Sequence, residues 1–172
     1  MEFEYNYLCT MSKPLNIRPI SKEDNPMIAT IIRSCLTEFG ANKPGTVFYD
    51  KTTDHLFELF EENGAAYFIA EEEGKIVGGG GIFPSPGLPA GTCELVKMYL
   101  IPDARGTGIG ATLMNNCMSK AKELGFVSMY IETLPELKKA ISVYEKFGFS
   151  YLDKPLGNTG HFGCSVWMLK SL

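Results

Sequence analysis

The sequence predicts an α/β chain, a sheet with helices packed against it, whose elements follow the order β-α-α-β-β-β-α-β-α-β-β. Three observations lead to this prediction. Segments in which apolar and polar residues alternate are interspersed with segments in which apolar residues recur every three or four positions. A glycine-rich loop at residues 105–110 joins a strand-like run to a helix-like run. With 172 residues and 45% hydrophobic content, the chain is long and apolar enough to bury a core.

The first third of the chain is predicted to hold one strand and two helices. Residues 15–20 alternate as a strand, and residues 21–26 are typical of the start of a helix, which we expect to run to about Gly40. Residues 42–53 contain a proline and a glycine and are predicted to be a loop. Asp54 is then expected to cap a short helix.

The middle of the chain is predicted to hold three strands and one helix. Residues 65–70 and 75–83 should form a hairpin, and residues 92–101 a strand that leads into the glycine loop and a helix ending near Leu124. Four consecutive glycines at residues 78–81 are unusual inside a strand, since glycine weakens strands. They predict either a structural bulge or a floor that faces the substrate.

The last third is predicted to contain a strand, a helix and two closing strands. Residues 128–133 form the strand, and the helix covers residues 137–147 with Pro135 in its first turn. Residues 151–154 and 164–169 read as the closing pair.

We expect residues 15–172 to form a single domain behind an N-terminal extension, residues 1–14, in which Met11 is an alternative natural start.

Composition limits the functions to consider. The net charge of -4 gives no basic field for nucleic acid, and no apolar run is long enough to span a bilayer. The first ten residues do not resemble a signal peptide. Five cysteines without any C-x-x-C spacing argue against a zinc site and a disulfide framework. We therefore expect a cytoplasmic protein without a metal, and a homodimer is compatible with the sequence.

The glycine loop predicts an anion site. Its residues are Arg105, Gly106, Thr107, Gly108, Ile109 and Gly110. Missing Cβ atoms let a ligand approach the backbone, so several N–H groups can point into one concavity at the positive end of the following helix. A diphosphate suits such a site, and the Arg105 guanidinium could add a charge-assisted contact.

Two classes of ligand compete for this loop. Gly106, Gly108 and Ala111 satisfy the fingerprint of a dinucleotide site, with Glu132 as a ribose-binding acid. Against this alternative, residues 102–105 intervene between the strand and the loop. The 40 residues after Glu132 are also too few for a second nucleotide half and a substrate domain.

The second interpretation starts from the spacing R-x-x-G-x-G at residues 105–110. In this form the loop resembles the acyl-CoA site of the GNAT superfamily of N-acetyltransferases. The strand end at residues 100–103 and the segment at residues 140–149, Ala-Ile-x-x-Tyr-Glu-Lys-Phe-Gly-Phe, resemble two further parts of that family. The resemblance is strong from Glu94 to Phe149. One departure is Leu137, near a place where the family commonly has an asparagine.

The resemblance implies a fold, a cosubstrate and several site residues. The fold would be the GNAT acyltransferase fold, with a mixed, mostly antiparallel sheet, and the cosubstrate acetyl-CoA. Glu94 falls on the position that often carries the general base, and Tyr144 on that of a general acid near the CoA sulfur. Backbone groups of the loop-bearing strand would hold the pantetheine arm, and the glycine loop would hold the phosphates. The residues so implicated are Met98, Tyr99, Leu100, Arg105, Gly106, Thr107, Gly108, Ile109, Gly110 and Ala111.

The walls of the acceptor pocket are expected to come from residues 35–49, 84–91 and 156–161, the segments with least family signature. His161, in a Gly/Asn/Thr loop, could be an acid, a base or a substrate ligand because an imidazole titrates near neutral pH. We expect an N-acetyltransferase that moves an acetyl group to a primary amine of a small molecule or amino acid, by direct attack in a ternary complex. A noncatalytic acyl-CoA-binding module and a nicotinamide-dinucleotide-binding protein are the alternatives.

Overall fold

The computed structural model describes residues 14–172, so almost all of the predicted N-terminal extension, with Met11, lies outside the described residues. Seven strands form one sheet in the order β1-β2-β3-β4-β5-β7-β6. All neighbours are antiparallel except β4 and β5. The strands are β1 (Leu15–Pro19), β2 (Ala66–Glu72), β3 (Lys75–Phe83), β4 (Thr92–Leu100), β5 (Ser128–Thr133), β6 (Ser150–Tyr151) and β7 (Val166–Ser171).

Four helices cover the two faces of the sheet. The helices are α1 (Asn25–Glu38), α2 (Leu56–Leu59), α3 (Ile109–Glu123) and α4 (Lys138–Lys146). Apolar residues of α1 and α2 pack with Tyr67, Ile69 and Val96 on one face. Residues of α3 and α4 pack with Leu95 and Met129 on the other. None of the helices between residues 14 and 172 has the length and apolar character that a membrane span needs.

The predicted order of elements is confirmed, and three details differ. Asp54 does not cap α2, because its carboxylate accepts bonds from Arg33 at 2.6 and 2.8 Å. Asp50 instead caps the 3-10 turn Lys51–Asp54 by accepting from Thr52 N at 2.9 Å. Pro135 precedes α4 rather than opening it, and β6 has only two residues.

A split in the sheet separates β4 from β5. The two parallel strands pair only over Thr92–Glu94 and Ser128–Tyr130. Beyond Glu94, β4 continues against β3 alone, while β5 continues against β7. Beyond this point no strand of residues 14–172 pairs with the facing edges of β4 and β5, and an extended ligand could bind there like an added strand.

The four glycines explain how β4 is bent at this split. A Cβ atom at Gly79 or Gly81 would meet the Tyr67 ring, so glycine leaves the room that this ring fills. The Tyr67 hydroxyl then donates to the Lys97 carbonyl at 2.8 Å. Lys97 has a positive φ of 50° at an irregularity in the β3–β4 ladder. The glycine run thus serves a bulge and close packing, rather than a floor that faces the substrate.

Candidate active site

The glycine loop opens α3 without any side-chain cap. Gly106 and Gly108 have φ values of 78° and 94°, a region that favours glycine, and a Cβ at either position would point into open space. The bond from Thr112 N to Gly108 O, at 3.0 Å, closes the first helical turn. The N–H groups of Ile109, Gly110 and Ala111 precede that turn and lie at the positive end of the helix. This geometry fits a diphosphate.

The Arg105 side chain is directed away from the loop towards α1. Its guanidinium donates to both oxygens of Glu38 at 2.7 Å and to the Leu100 carbonyl at 2.9 Å, and it lies over the Phe39 ring. The Arg105 N–H donates to Pro102 O at 3.1 Å. Arg105 therefore anchors the loop to α1 in this structure. A phosphate contact by Arg105 stays a prediction and requires the side chain to leave Glu38.

Met98, Tyr99 and Leu100 form the wall of the split on the β4 side. Tyr99 and Leu100 pair with Gly79 and Gly78 of β3. Leu100 points towards the cluster that contains Ile109 of α3, whereas Tyr99 points towards the α1 face. The chain thus runs directly from the open edge of β4 into the glycine loop.

Glu94 lies where β4 and β5 part. It pairs with Tyr130 at the last residue of the parallel ladder and with Phe83 of β3. Its side chain is only 3% exposed, and Ser85 Oγ donates a hydrogen bond to Oε2. The second carboxylate oxygen, Oε1, faces His161. A buried carboxylate with one oxygen free for a new partner suits a general base.

A second buried carboxylate, Glu132, lies beside Glu94 and His161. Its side chain is 4% exposed, and it accepts from the Tyr130 hydroxyl at 2.7 Å and from Thr159 Oγ1 at 2.5 Å. His161 Nδ1 lies 3.8 Å from Glu94 Oε1 and 4.0 Å from Glu132 Oε2. Three distant segments of the chain therefore meet at one point.

These groups line a narrow pocket of about 40 Å³ on the α1 face of β4. Its other walls are Leu36, Thr46, Val47, Leu95, Val96, Lys97, Tyr99, Thr133, Leu134, Leu137 and Cys164. Residues predicted for the acceptor side and residues of the split thus share one cavity. A larger cavity of about 470 Å³ lies between α2 and the end of α3, and none of the predicted site residues lines it.

Lys97 brings a buried cation to the pocket, but its charge is already matched. Its Nζ lies 2.6 Å from Asp50 Oδ2, and its side chain is 4% exposed. Burial lowers the pKa of Lys97, and the Asp50 carboxylate opposes that shift. Burial also opposes ionisation of Asp50, but Lys97 and two hydrogen bonds from Thr52 together outweigh burial and hold the pKa of Asp50 below its usual range. The two groups act as an ion pair, and Glu94 and Glu132 are the acidic side chains of the pocket that Lys97 does not contact.

Tyr144 lies on the buried side of α4. Its ring packs edge-on against Phe149, with 6.1 Å between ring centroids. Burial raises the pKa of Tyr144 to about 12, so its hydroxyl keeps its proton at neutral pH. Burial and the nearby Tyr144 hydroxyl also raise the pKa of Tyr99, a residue of the split. Tyr144 thus keeps its proton at neutral pH, as a general acid must, and it belongs to the same apolar cluster as Leu95 of β4.

Between residues 14 and 172, one group of side chains could hold a metal ion. Its members are Glu94, Glu132 and His161. Each offers one ligand atom, and these atoms lie within 4.8 Å of one another. Zinc bonds of about 2.0–2.2 Å in a tetrahedral site place ligand atoms roughly 3.4 Å apart. The group would have to contract to bind zinc, and the absence of a metal stays a prediction.

Three residues of the site were not predicted in these roles. Glu132 was considered only as a ribose-binding acid, Ser85 only as part of the acceptor wall expected at residues 84–91, and Lys97 was not considered. The sequence did carry one signal for Glu132. It lies in the predicted strand at residues 128–133, which is the next strand after the one that holds Glu94, so the two acids could be expected on neighbouring strands. Ser85 lies in an irregular loop, where no periodicity indicates what a side chain contacts.

Comparisons with known proteins identify the family of the chain. The model of the acetyltransferase (GNAT) family matches residues 27–149. YjgM, an uncharacterised N-acetyltransferase of Escherichia coli, is 44% identical over 158 residues, which cover 91% of this chain and 94% of the relative.

Two solved structures have the same fold. An acetyltransferase of the GNAT family from Staphylococcus aureus superposes with a TM-score of 0.81 at 18% identity, over 92% of this chain and 99% of that chain. A phosphinothricin acetyltransferase of Sinorhizobium meliloti, solved in complex with acetyl-CoA, superposes with a TM-score of 0.72 at 21% identity, over 92% and 88% of the two chains. The doubly wound parallel sheet that a dinucleotide site would require is not the sheet of residues 14–172. The chain therefore belongs to the GNAT family of acetyltransferases and is an acyltransferase.

Proposed function

We propose that the protein transfers an acetyl group from acetyl-CoA to a primary amine of a small molecule or amino acid, by direct attack in a ternary complex. The observation that carries this proposal is the position of Glu94. It is a buried carboxylate at the point where β4 and β5 part, with Oε1 free of the Ser85 bond. A base at that point can reach an amine that enters from the α1 face, while a thioester approaches along the split.

Acetyl-CoA would supply the activated acetyl group, and the chain would hold it with backbone atoms. The open loop at Gly106 and Gly108 fits its diphosphate. The unpaired edge of β4 beside Met98, Tyr99 and Leu100 would accept the pantetheine arm like an added strand. Support comes from the Sinorhizobium meliloti enzyme of the same fold, whose structure contains acetyl-CoA.

Two side chains would move protons. Glu94 would take a proton from the acceptor ammonium, because only the neutral amine has a lone pair for attack. Tyr144 would protonate the departing sulfur, since its hydroxyl stays neutral and is buried near the split. We place these reactions in the cytoplasm, in keeping with the unpaired state of Cys35, Cys93, Cys117 and Cys164.

The test is a transfer screen in which acetyl-CoA is offered with a panel of primary amines and amino acids, and both CoA release and acetylated product are measured. We expect product with at least one acceptor, and equal activity after treatment with a chelator. In parallel, acetyl-CoA and CoA should raise the Tm, by an amount equivalent to about 2.7 kcal/mol at a hundredfold excess over Kd, while NADH should not. Stabilisation by CoA without transfer to any acceptor would favour a noncatalytic binding module.

A further inference from the structure

Turnover on an ammonium acceptor releases one proton. The acceptor enters with three N–H bonds and a positive charge, and it leaves as a neutral amide with one N–H bond. Of the two protons lost, one is taken up by the CoA sulfur and the other must reach the solvent. If Glu94 removes that proton, the carboxyl must lose it again before the next cycle. Its side chain is only 3% exposed, so direct exchange with bulk water is obstructed.

His161 is the neighbour of Glu94 that connects it to solvent. Its Nδ1 lies 3.8 Å from Glu94 Oε1, the oxygen that Ser85 does not occupy. The His161 side chain is 18% exposed, several times more than that of Glu94. A separation of 3.8 Å exceeds a direct hydrogen bond by about 0.6 Å, a gap that a small side-chain movement or one water closes. Catalytic hydrogen bonds are often this long before the substrates bind.

Glu132 holds the loop that carries His161. Thr159 Oγ1 donates to Glu132 Oε2 at 2.5 Å and accepts from the His161 N–H at 3.3 Å. The Tyr130 hydroxyl donates to Glu132 Oε1 at 2.7 Å and accepts from Leu156 N at 3.1 Å. Glu132 thereby fixes both ends of the segment that leads to His161.

Two carboxyl groups face the imidazole. They belong to Glu94 of β4 and Glu132 of β5, and both lie near Nδ1. Lys97, also in this pocket, is matched by Asp50. The remaining titratable neighbours are Tyr99, Tyr130 and Cys164. Burial raises the pKa of each, so all three stay neutral at neutral pH.

We propose, on the basis of the proposed function, that His161 relays the proton of each turnover from Glu94 to solvent and that Glu132 is its positioning residue. Nδ1 accepts the proton from the Glu94 carboxyl, which returns to carboxylate. The imidazolium then loses a proton from Nε2 to water, and exchange with solvent restores the first tautomer. No bond other than these N–H and O–H bonds changes, and no oxidant or further reactant is needed.

The experiment measures kcat at saturating acetyl-CoA and acceptor, at fixed pH and in dilute buffer. His161→Ala should lower kcat about tenfold or more and leave the KM for acetyl-CoA unchanged, because the proton then lacks its exit. Added imidazole should restore kcat towards the value of the unmodified protein, in proportion to its concentration until saturation. His55→Ala is the matched control, since His55 is exposed at the start of α2, and it should show neither the defect nor a response to imidazole.

Glu132→Gln separates positioning from relay. It keeps the size of the side chain and its acceptor oxygen for Tyr130, but it replaces Oε2, which accepts from Thr159, with an amide nitrogen that can only donate. We expect a smaller loss of kcat with His161 still present, and little response to imidazole.

Two outcomes would overturn the relay alone: an unchanged kcat in a folded His161→Ala variant, or a loss that imidazole does not restore but His161→Gln does. Absence of transfer by the unmodified chain would overturn the proposed function and the relay with it.

Discussion

The proposed cofactor side and the proposed acceptor side of the site are constructed in different ways. The cofactor side is one continuous piece of chain, from Met98 through the glycine loop to Ala111, and it offers mainly backbone N–H groups. The acceptor side is assembled from the side chains of Ser85, Glu94, Glu132 and His161, which belong to four separate segments. We therefore expect cofactor binding to depend on backbone conformation. The chemistry on the acceptor side should depend on a few side-chain atoms that a substitution can replace.

This difference predicts opposite responses to substitution. A conservative change of one acceptor-side atom should alter kcat and spare CoA affinity. A change of backbone conformation in the loop should alter CoA affinity first. The four variants below test this division, in order of decreasing expected effect.

Glu94→Gln should have the largest effect. It keeps the size and polarity of the side chain but removes its ability to take a proton, so kcat should fall about 10²-fold or more while the Kd for CoA stays nearly constant. The loss should shrink at high pH, where the acceptor amine is already deprotonated. Steady-state kinetics from pH 7 to 10 measure this, with the exposed Glu62→Gln as the matched control. A defect that stays constant with pH would indicate a structural role for Glu94.

Gly108→Val should weaken CoA binding about tenfold to a hundredfold. Gly108 has a φ of 94°, which a β-branched residue adopts only with strain, and the added side chain would occupy the open space proposed for the phosphates. Gly125 is a matched control at the other end of α3, with a φ of 86° and open space around its Cβ. Gly125→Val should lower the Tm by a similar amount but leave the Kd for CoA unchanged. Calorimetry measures the Kd for CoA of both variants, and equal values would show that the glycine loop does not contact CoA.

The same division explains what could be predicted from the sequence. Continuous features were accessible, because a strand, a glycine loop and a helix in succession carry their periodicity and turn residues in adjacent positions. The element order and the cofactor-side geometry belong to this class. The partnership of Glu132 with His161 was not accessible, since it depends on β5 lying beside β4 and on an irregular loop folding back over both. The orientation of Arg105 was missed for a related reason: its partner, Glu38, lies 67 residues away on α1.

Tyr144→Phe should lower kcat about threefold to tenfold with little effect on the acceptor KM, provided that thiolate departure limits the rate. Because the pKa of Tyr144 is raised to about 12, the hydroxyl remains protonated from pH 7 to 9, and the defect should be constant over that range. Tyr151→Phe is the matched control, because its exposed hydroxyl on β6 donates only to Glu145. An unchanged kcat in a folded Tyr144→Phe variant would mean that Tyr144 is not the general acid and that water protonates the sulfur.

Arg105→Ala should have the smallest effect on CoA affinity, a change in Kd of less than about threefold. It should instead lower the Tm by a few degrees, because the guanidinium connects the loop to Glu38, Leu100 and Phe39. Arg105 lowers the pKa of Glu38, so the ion pair stabilises the fold fully above the ordinary pKa of a glutamate and loses this effect as the pH falls through the lowered value. The Tm difference between the unmodified chain and Arg105→Ala should accordingly narrow in acid, and Glu38→Gln should reproduce part of it at neutral pH. A large loss of CoA affinity with an unchanged Tm would mean that Arg105 leaves Glu38 for the phosphates when the cosubstrate binds.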